Sequence, residues 1–577
     1  MTDLNDDINY VDLNGEICYK ILVDGEEVPC EDYIVSISSS TEFCKIATLE
    51  IAFENIISDE DKSYVSDLDM YSIGAEIELV LGYDQADVSV FKGIIRKKSV
   101  SKSCSILTLV AKHEAERMTF EKKCRIFEQQ TIGDTIEAIC GEYGISVKVE
   151  NPGNESEKRV QSNCSDWDFI NIIAETGGME VLTTPEGIVV KSVVEEDLTD
   201  QDQVLDVVRG YNLNDIQVEV DGRHSHKTYK CKSFDYTSQE MVESTSSNSN
   251  VSQSVENVDD GEEQCSVLMG VSGGEQELDV MQNMLSVRND LAFLTGEVNV
   301  VGYAPLSPGD VVCLHGVGKG FSGKVLVSSV LHNIGPKGWQ THLRVGLDDT
   351  FYVTRFNDIV PKPSMGMLPT VNGLLLAKVE ALEGDPLEEN RICVRLINSD
   401  DMKLWCRIAT LDAGNERGSF FLPELEDEVV VGFVDGDPNN AIVLGMLHSS
   451  QAPVPMDITN DNHVKGFFSR EKIQLLFDDE KKALSIETPG GNKLLISDDE
   501  KGVSLEDQNG NTIVMNDQGI TIESKKALTL KAAQDVSIEG NNVNIKANAQ
   551  LVAQGSASAE FSASGNTVIK GGLVQIN

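Results

Sequence analysis

Residues 513–561 read IVMNDQGITIESKKALTLKAAQDVSIEGNNVNIKANAQLVAQGSASAEF. Pairs of apolar residues one apart recur along them: Ile513/Met515, Ile520/Ile522, Leu528/Leu530, Val536/Ile538, Val543/Ile545, Leu551/Ala553 and Ala559/Phe561, stepping 7 or 8 residues at a time. Upstream, the pairing continues as Leu484/Ile486, Leu494/Ile496 and Val503/Leu505. Alternate positions are strand spacing, and each pair faces one way. Gly510, Gly519, Gly540, Gly555 and Gly565 fall in the polar intervals, where a tight corner wants no Cβ. A repeat of this length supplies one short strand and one turn. A single-chain β-helix needs several strands per coil to enclose a core. One strand per repeat hides its apolar pair only if other chains supply the remaining walls. Three chains wrapped about a common axis make the simplest closed prism without an open edge. The period therefore predicts a homotrimer. A stack of ordinary hairpins is the competing reading, disfavoured because two-residue I′/II′ loops do not recur in the intervals.

Working back from this needle, taken as 470–577, the segment APVPMDITNDNH at 452–463 reads as part of a linker over 451–469. Before it, 366–450 carries short strand-like runs, Leu374 to Val379, Arg391 to Leu396 and Glu428 to Val434, between Gly/Asp/Pro/Asn turns. That spacing is the mark of a small β-barrel. The first 365 residues read as mixed α/β. Ile216, Val218 and Val220 alternate with polar residues as a strand does. Three helices are predicted. One runs from Asp134 to Tyr143 and is stopped by Gly144; one is opened by Ser165 with Asp168 and ended by Gly177-Gly178. The third runs from about Glu275 to Thr295, with Leu278, Met281, Leu285 and Ala292 in register. The Ser/Asn/Glu-rich stretch 237–263 reads as an exposed loop.

The charge balance, 95 acidic against 47 basic residues for a net charge of -48, repels nucleic acid phosphates and anionic headgroups, so neither is an expected partner. The opening MTDLNDDINY has no secretory signal pattern, and no apolar run approaches membrane-helix length, so a cytoplasmic origin is expected. Twelve cysteines without a CxxC pair suit reduced, buried use. Chemistry-bearing motifs are few. His224-Ser-His226 puts two imidazoles on one face of a strand, with Cys231 as the nearest further ligand, and reads as a solvated strand; the other six histidines read as isolated. Gly318 to Lys324 resembles a P-loop, but Val325 replaces the Ser/Thr and a strand-like stretch follows, so a Gly-rich turn is expected. No catalytic, cofactor or metal residues are singled out, and no enzyme activity is expected.

The barrel and the segments before it resemble the valine-glycine repeat G (VgrG) spike family of type VI secretion and its phage-tail relatives. Arg391-Ile392-Cys393-Val394 is similar to the family's G-R-V-x-V strand, and Trp405-Cys406-Arg407-Ile408 with Ala413-Gly414 and Gly418 to its W-x-R-V…A-G…G segment. Phe421-Leu422-Pro423, the run Glu428 to Phe433 and Gly436-Asp437-Pro438-Asn439 before Ile442-Val443-Leu444-Gly445 resemble its F-x-P…E-V-x-V-x-F…G-D-P-[DN]-x-P-I-V-x-G. Upstream, Ser165-Asp166…Phe169 with Ala174-Glu175 and Gly177-Gly178, and the run Gly323 to His332, resemble two further elements. Few literal Val-Gly pairs occur in the repeats.

The resemblance implies a fold class that is mainly β with an α/β hub. Residues 1–365 would be a hub-like N-terminal region facing tube and baseplate, 366–450 an OB-fold barrel, and 470–577 a C-terminal triple-stranded trimeric β-helix needle. It implies a spike that caps the inner tube, punctures a target membrane and delivers effectors. Its partners would be two further copies of itself, an inner tube (Hcp-like) protein, baseplate proteins, effectors and a PAAR-type tip protein. It would reside in the producing bacterium's cytoplasm until ejected on firing. Type VI secretion, an extracellular injection particle, a tailocin and a phage tail stay open. A spike with cell-wall hydrolase activity is disfavoured because no inserted domain fits, and a surface adhesin because of the absent signal. After the last repeats, Gly571-Gly572 let strands crowd together, and Leu573, Val574, Ile576 and Asn577 would present a small apolar face for the tip protein. No fused effector is expected after Asn577.

Overall fold

The computed structural model describes residues 8, 10, 11 and 15–576, apart from 29–32, 57–63, 154–155, 194–197, 199–200, 225–227, 237, 248–263, 269–274, 357 and 400. The chain falls into two units, Met1–Gly373 with Phe433–Asn440, and Leu374–Gly432 with Ala441–Asn577.

Strict alternation builds the first unit. In Thr48–Glu54, Glu76–Tyr83 and Ile106–Lys112 every second residue is buried: Leu49, Ile51 and Phe53; Ile77, Leu79 and Leu81; Leu107, Leu109 and Ala111. These side chains join Ile21, Ile37 and Phe91 in one core. A second core gathers Val298, Val300, Val325, Val327, Leu343 and Val345 from Leu294–Val301, Gly323–Gly335 and Gly338–Val345. One 13-stranded sheet carries both sets. They meet where Ile34–Glu42 pairs antiparallel with Gly323–Gly335, from Ser329↔Glu42 to Ile334↔Ile37.

Helix α1, Ile132–Tyr143, starts two residues before the expected Asp134. Thr131 is its cap, in a reciprocal capping box with Asp134, and Gly144 at φ 70 ends it. Helix α2, Asp166–Thr176, is capped by Ser165 Oγ, which accepts from Asp168 N at 3.1 Å. Helix α3 is Glu275–Ala292, not the expected run to Thr295. Leu294–Val301 is a strand paired with Leu213–Val220, and the chain must turn sharply to enter it. Gly346 makes room for that turn: at φ +76, a Cβ there would sit 2.3 Å from the Leu294 carbonyl oxygen. The buried face of α3 also differs from the expected stripe. Leu278 and Ala292 of that stripe are buried, whereas Met281 and Leu285 are partly exposed, and Gln282, Met284, Val287, Arg288 and Leu291 are buried beside them. Part of the expected 237–263 loop is also ordered: Glu240–Ser247 is a strand on Thr228–Asp235, and 237 and 248–263 lie outside the described residues.

Near the end of α3, burial holds the Asp290 carboxyl up at about 7, and a helix C-terminus is a poor place for an anion. The fold thus favours the neutral acid. That contribution is complete below the ordinary carboxylate value near ~4 and is lost as pH rises through 7. Asp290→Asn is expected to stabilise the protein by up to about 4 kcal/mol at pH ~8 and to leave it unchanged at pH ~4. Denaturant unfolding at the two pH values checks this; an equal difference at both would contradict it.

In the second unit, Leu375–Ala381, Ile392–Leu396, Lys403–Ile408, Ala441–Met446 and Glu428–Phe433 close a five-stranded barrel. Ala377, Val379, Val394, Leu396, Cys406, Val429, Val431 and Val443 fill it. The tight loop into its second strand is tied by Asp385, whose carboxylate pairs with Arg391 at 2.5 Å and accepts from the Glu389 amide at 2.9 Å. These contacts hold the Asp385 carboxyl well below its ordinary value. Of the described cysteines, Cys44, Cys140, Cys164, Cys231, Cys393 and Cys406 are buried and Cys104 and Cys124 exposed; none of those described forms a disulfide. Among the described residues, no helix is long and apolar enough to cross a membrane.

Candidate functional surface

After the barrel come seven five-residue strands, Val464–Phe468, Gln474–Asp478, Ala483–Glu487, Lys493–Ser497, Gly502–Glu506, Thr512–Asn516 and Gly519–Glu523. The first lies inside the stretch expected to be linker. Each pairs antiparallel with the next. The register aligns the apolar pairs: Leu484↔Ile496, Ile486↔Leu494, Ile496↔Val503, Leu494↔Leu505, Leu505↔Ile513, Val503↔Met515, Ile513↔Ile522 and Met515↔Ile520. Directly opposed residues share a face, so all these pairs line one side of the sheet.

This meander is the hairpin reading set aside from the sequence, and for 464–523 it is the arrangement within one chain. The connections are four or five residues long, except for the two-residue 517–518, and such longer loops close through one left-handed residue. Lys482 at φ 46, Lys501 at φ 51 and Gly510 at φ 78 supply it. Exposure, not the period, is therefore what calls for further chains. Ile486, Ile496, Leu505, Ile513, Met515 and Ile522 remain exposed, and Ile520 is 71% accessible. Beyond Glu523 no strand is present among the described residues. There Leu528, Leu530, Val536, Val543, Ile545, Leu551 and Phe561 are exposed, and Ile538 is 68% accessible. An apolar row of this extent on a strand-poor backbone is an interface looking for its other half. At the end, Leu573 (86%) and Ile576 (84%) are the most exposed of the proposed tip side chains, Val574 is about half exposed, and Gly571 and Gly572 are exposed. Asn577 lies outside the described residues. The shaft is anchored on the barrel by Phe421 stacked on Phe467, with centroids 5.3 Å apart, and by Arg470 paired with Glu424 at 2.9 Å.

The motif residues of the first unit hold structure together. Asp166 is fully buried, accepting from Lys123 at 2.7 Å, Tyr143 at 2.7 Å and Gln161 at 2.8 Å, and pairing with Arg125. Burial alone would raise its carboxyl; the donors hold it below its ordinary value. Glu175 accepts from the Tyr352 amide at 3.0 Å and pairs with Arg288 at 2.8 Å. Arg288 also pairs with buried Glu180, which accepts from Cys44 Sγ at 2.8 Å. Burial outweighs Arg288 and raises the Glu175 carboxyl.

The P-loop-like segment ends as expected in a strand, Gly323–Gly335, with Lys324 Nζ donating to the Gln201 carbonyl at 2.5 Å. His224 closes a 3-10 turn, Gly222–His224, rather than lying in a strand; its Nδ1 is 2.5 Å from Asn289 Oδ1. His226 is outside the described residues. His315 is not isolated: its Nε2 lies 2.7 Å from Asp206 Oδ1, with Cys313 beside them. The partners are 109 residues apart, and only strand register brings them together.

A family described as "Alg8 N-terminal domain" matches residues 14–335. "Type VI secretion system/phage-baseplate injector OB domain" matches 375–448, and "Phage baseplate V C-terminal trimerisation domain" matches 483–552. Among curated proteins, the type VI secretion system spike protein VgrG5 of Pseudomonas aeruginosa is 30% identical over 128 residues, 21% of this chain and 16% of the relative. VgrG1a of the same organism is 29% identical over 73 residues, 13% of this chain and 11% of the relative. The matched segments thus span well under two thirds of these relatives' length. Among solved structures, the 43 kDa tail protein of prophage MuSo2 from Shewanella oneidensis superposes with a TM-score of 0.44 at 12% identity, covering 58% of this chain and 99% of that one.

Proposed function

Because the chain belongs to the VgrG family of injector spikes, with an Alg8 N-terminal domain ahead of its OB barrel and trimerisation domain, we propose that it is the trimeric spike of a contractile injection apparatus that punctures a target membrane and delivers effectors. The observation that carries this reading is the continuous apolar row left uncovered along 484–576. Three copies turned about one axis bury it and supply the missing strand partners, which gives a stiff shaft. On this reading the first unit docks on the inner tube and baseplate, and the exposed end at Leu573 to Ile576 receives a separate cone-shaped tip protein. The work comes from contraction elsewhere, and the chain carries no catalytic centre of its own. It is held in the cytoplasm of the producing cell until firing. A type VI apparatus and a phage-like or extracellular particle both fit the family.

Sedimentation tests the proposal. The purified chain is expected to run as three copies, and a stable monomer at micromolar concentration would sink it. Removal of residues 573–577 is expected to leave the trimer intact and abolish retention of a co-expressed PAAR-type tip protein. Undiminished retention would move the tip site elsewhere.

A further inference from the structure

The strand Leu205–Val208 pairs in parallel with Val311–His315, setting Asp206 opposite Cys313 and Val208 opposite His315. Leu205, Val207, Val312 and Leu314 all enter the core. Asp206, Cys313 and His315 therefore face the other side of the sheet. There a carboxylate oxygen, a thiol sulfur and an imidazole nitrogen lie within 4.8 Å of one another. The Asp206 side chain is 1% exposed and that of His315 20%. Asn212 Nδ2 donates to the Asp206 carbonyl at 2.8 Å and fixes the backbone beneath the carboxylate. Lys324, the ladder partner of Cys313, is the neighbouring cation.

One thiolate, one imidazole and one carboxylate are the donors that borderline divalent transition metals take, zinc foremost. Donors held about 2.0–2.3 Å from one ion stand roughly 3.5 Å from each other, inside the convergence seen here. The Asp206–His315 contact, now at hydrogen-bond length, need open by only about 1 Å to admit the ion. Thiolate and carboxylate together offset a 2+ charge; the thiol proton leaves to solvent as the ion binds, and the neutral imidazole ligates through Nε2 with its proton on Nδ1.

We propose that Asp206, Cys313 and His315 form a three-donor site for a zinc-like divalent metal, with a fourth position open to water. Its effect is mechanical: Leu205–Val208 is four residues long and, among the described strands, pairs only with Val311–His315, so the ion clamps this short strand to the sheet.

The test uses the full-length chain, stripped of metal with a chelator, kept reduced with a phosphine and titrated with Co2+ as a spectroscopic stand-in for zinc. A thiolate-to-cobalt charge-transfer band saturating at one ion per chain is expected, displaced by Zn2+, and Zn2+ alone should raise the thermal unfolding midpoint. Cys313→Ser should abolish the band. Asp206→Asn and His315→Gln should weaken binding by about tenfold or more. Cys104→Ser, at an exposed thiol elsewhere, should change nothing. Folding of each variant is checked by circular dichroism and sedimentation; if Cys313→Ser misfolds, His315→Gln, which keeps the thiol, decides. Absence of the band, its survival in Cys313→Ser, or affinity unchanged in folded His315→Gln would overturn the site.

Discussion

Ile538→Asp is expected to dissolve the trimer. Ile538 belongs to the pair Val536/Ile538 and is 68% exposed in the single chain, so in a closed shaft three copies converge near the axis. Three carboxylates there would be buried without counter-charge, at a cost of several kcal/mol each. Sedimentation should shift from three chains toward one at neutral pH. Lowering the pH toward ~4 should restore part of the assembly, because neutral acids are far cheaper to bury than carboxylates. Ser537→Asp, one residue away and on the outer face of the strand that the closed shaft would form there, should assemble as the unaltered chain does. An Ile538→Asp trimer as stable as the original would mean that this row does not face the axis.

The second large effect belongs to the first unit. Arg288 is buried on α3 and holds Glu175 from α2 and Glu180 from the next strand. Arg288→Ala leaves two buried carboxylates facing each other, and breaking a buried pair in this way costs about 3–5 kcal/mol. Denaturant unfolding at neutral pH should show a loss of that order. The deficit should shrink on acidification, because burial already raises the Glu175 carboxyl and protonation removes the repulsion. A loss under about 1 kcal/mol would show that the site relaxes or hydrates, as exposed pairs do.

What could be read from the sequence was what is local. Ser165 and its partner Asp168 are three residues apart, so the start of α2 was visible; likewise Gly144 and the end of α1. The barrel strands showed because their apolar positions alternate and their turns carry Gly, Asp and Pro. The hairpin loops of the shaft were missed because Lys482 and Lys501 adopt left-handed backbone without being glycine. The buried face of α3 was read only in part, at Leu278 and Ala292, because Arg288 looks like a solvent residue until its two carboxylates are brought in from elsewhere in the chain. The trio of Asp206, Cys313 and His315 has no local signature at all; a parallel register assembles it.

The split in the shaft at Glu523 gives its assembly a direction. The seven strands up to that point pair within one chain, so the register of this stretch needs no second copy to be set. The remainder has no partner among the described residues of its own chain and must wait for two others. Three pre-aligned collars bring those tails together at high effective concentration, so the entropic cost of threading them is met once, at the collar. On the proposed trimer, closure then propagates outward from the collar like a zipper. An error near the barrel would be inherited by every later coil, whereas an error near the end would spoil only the end.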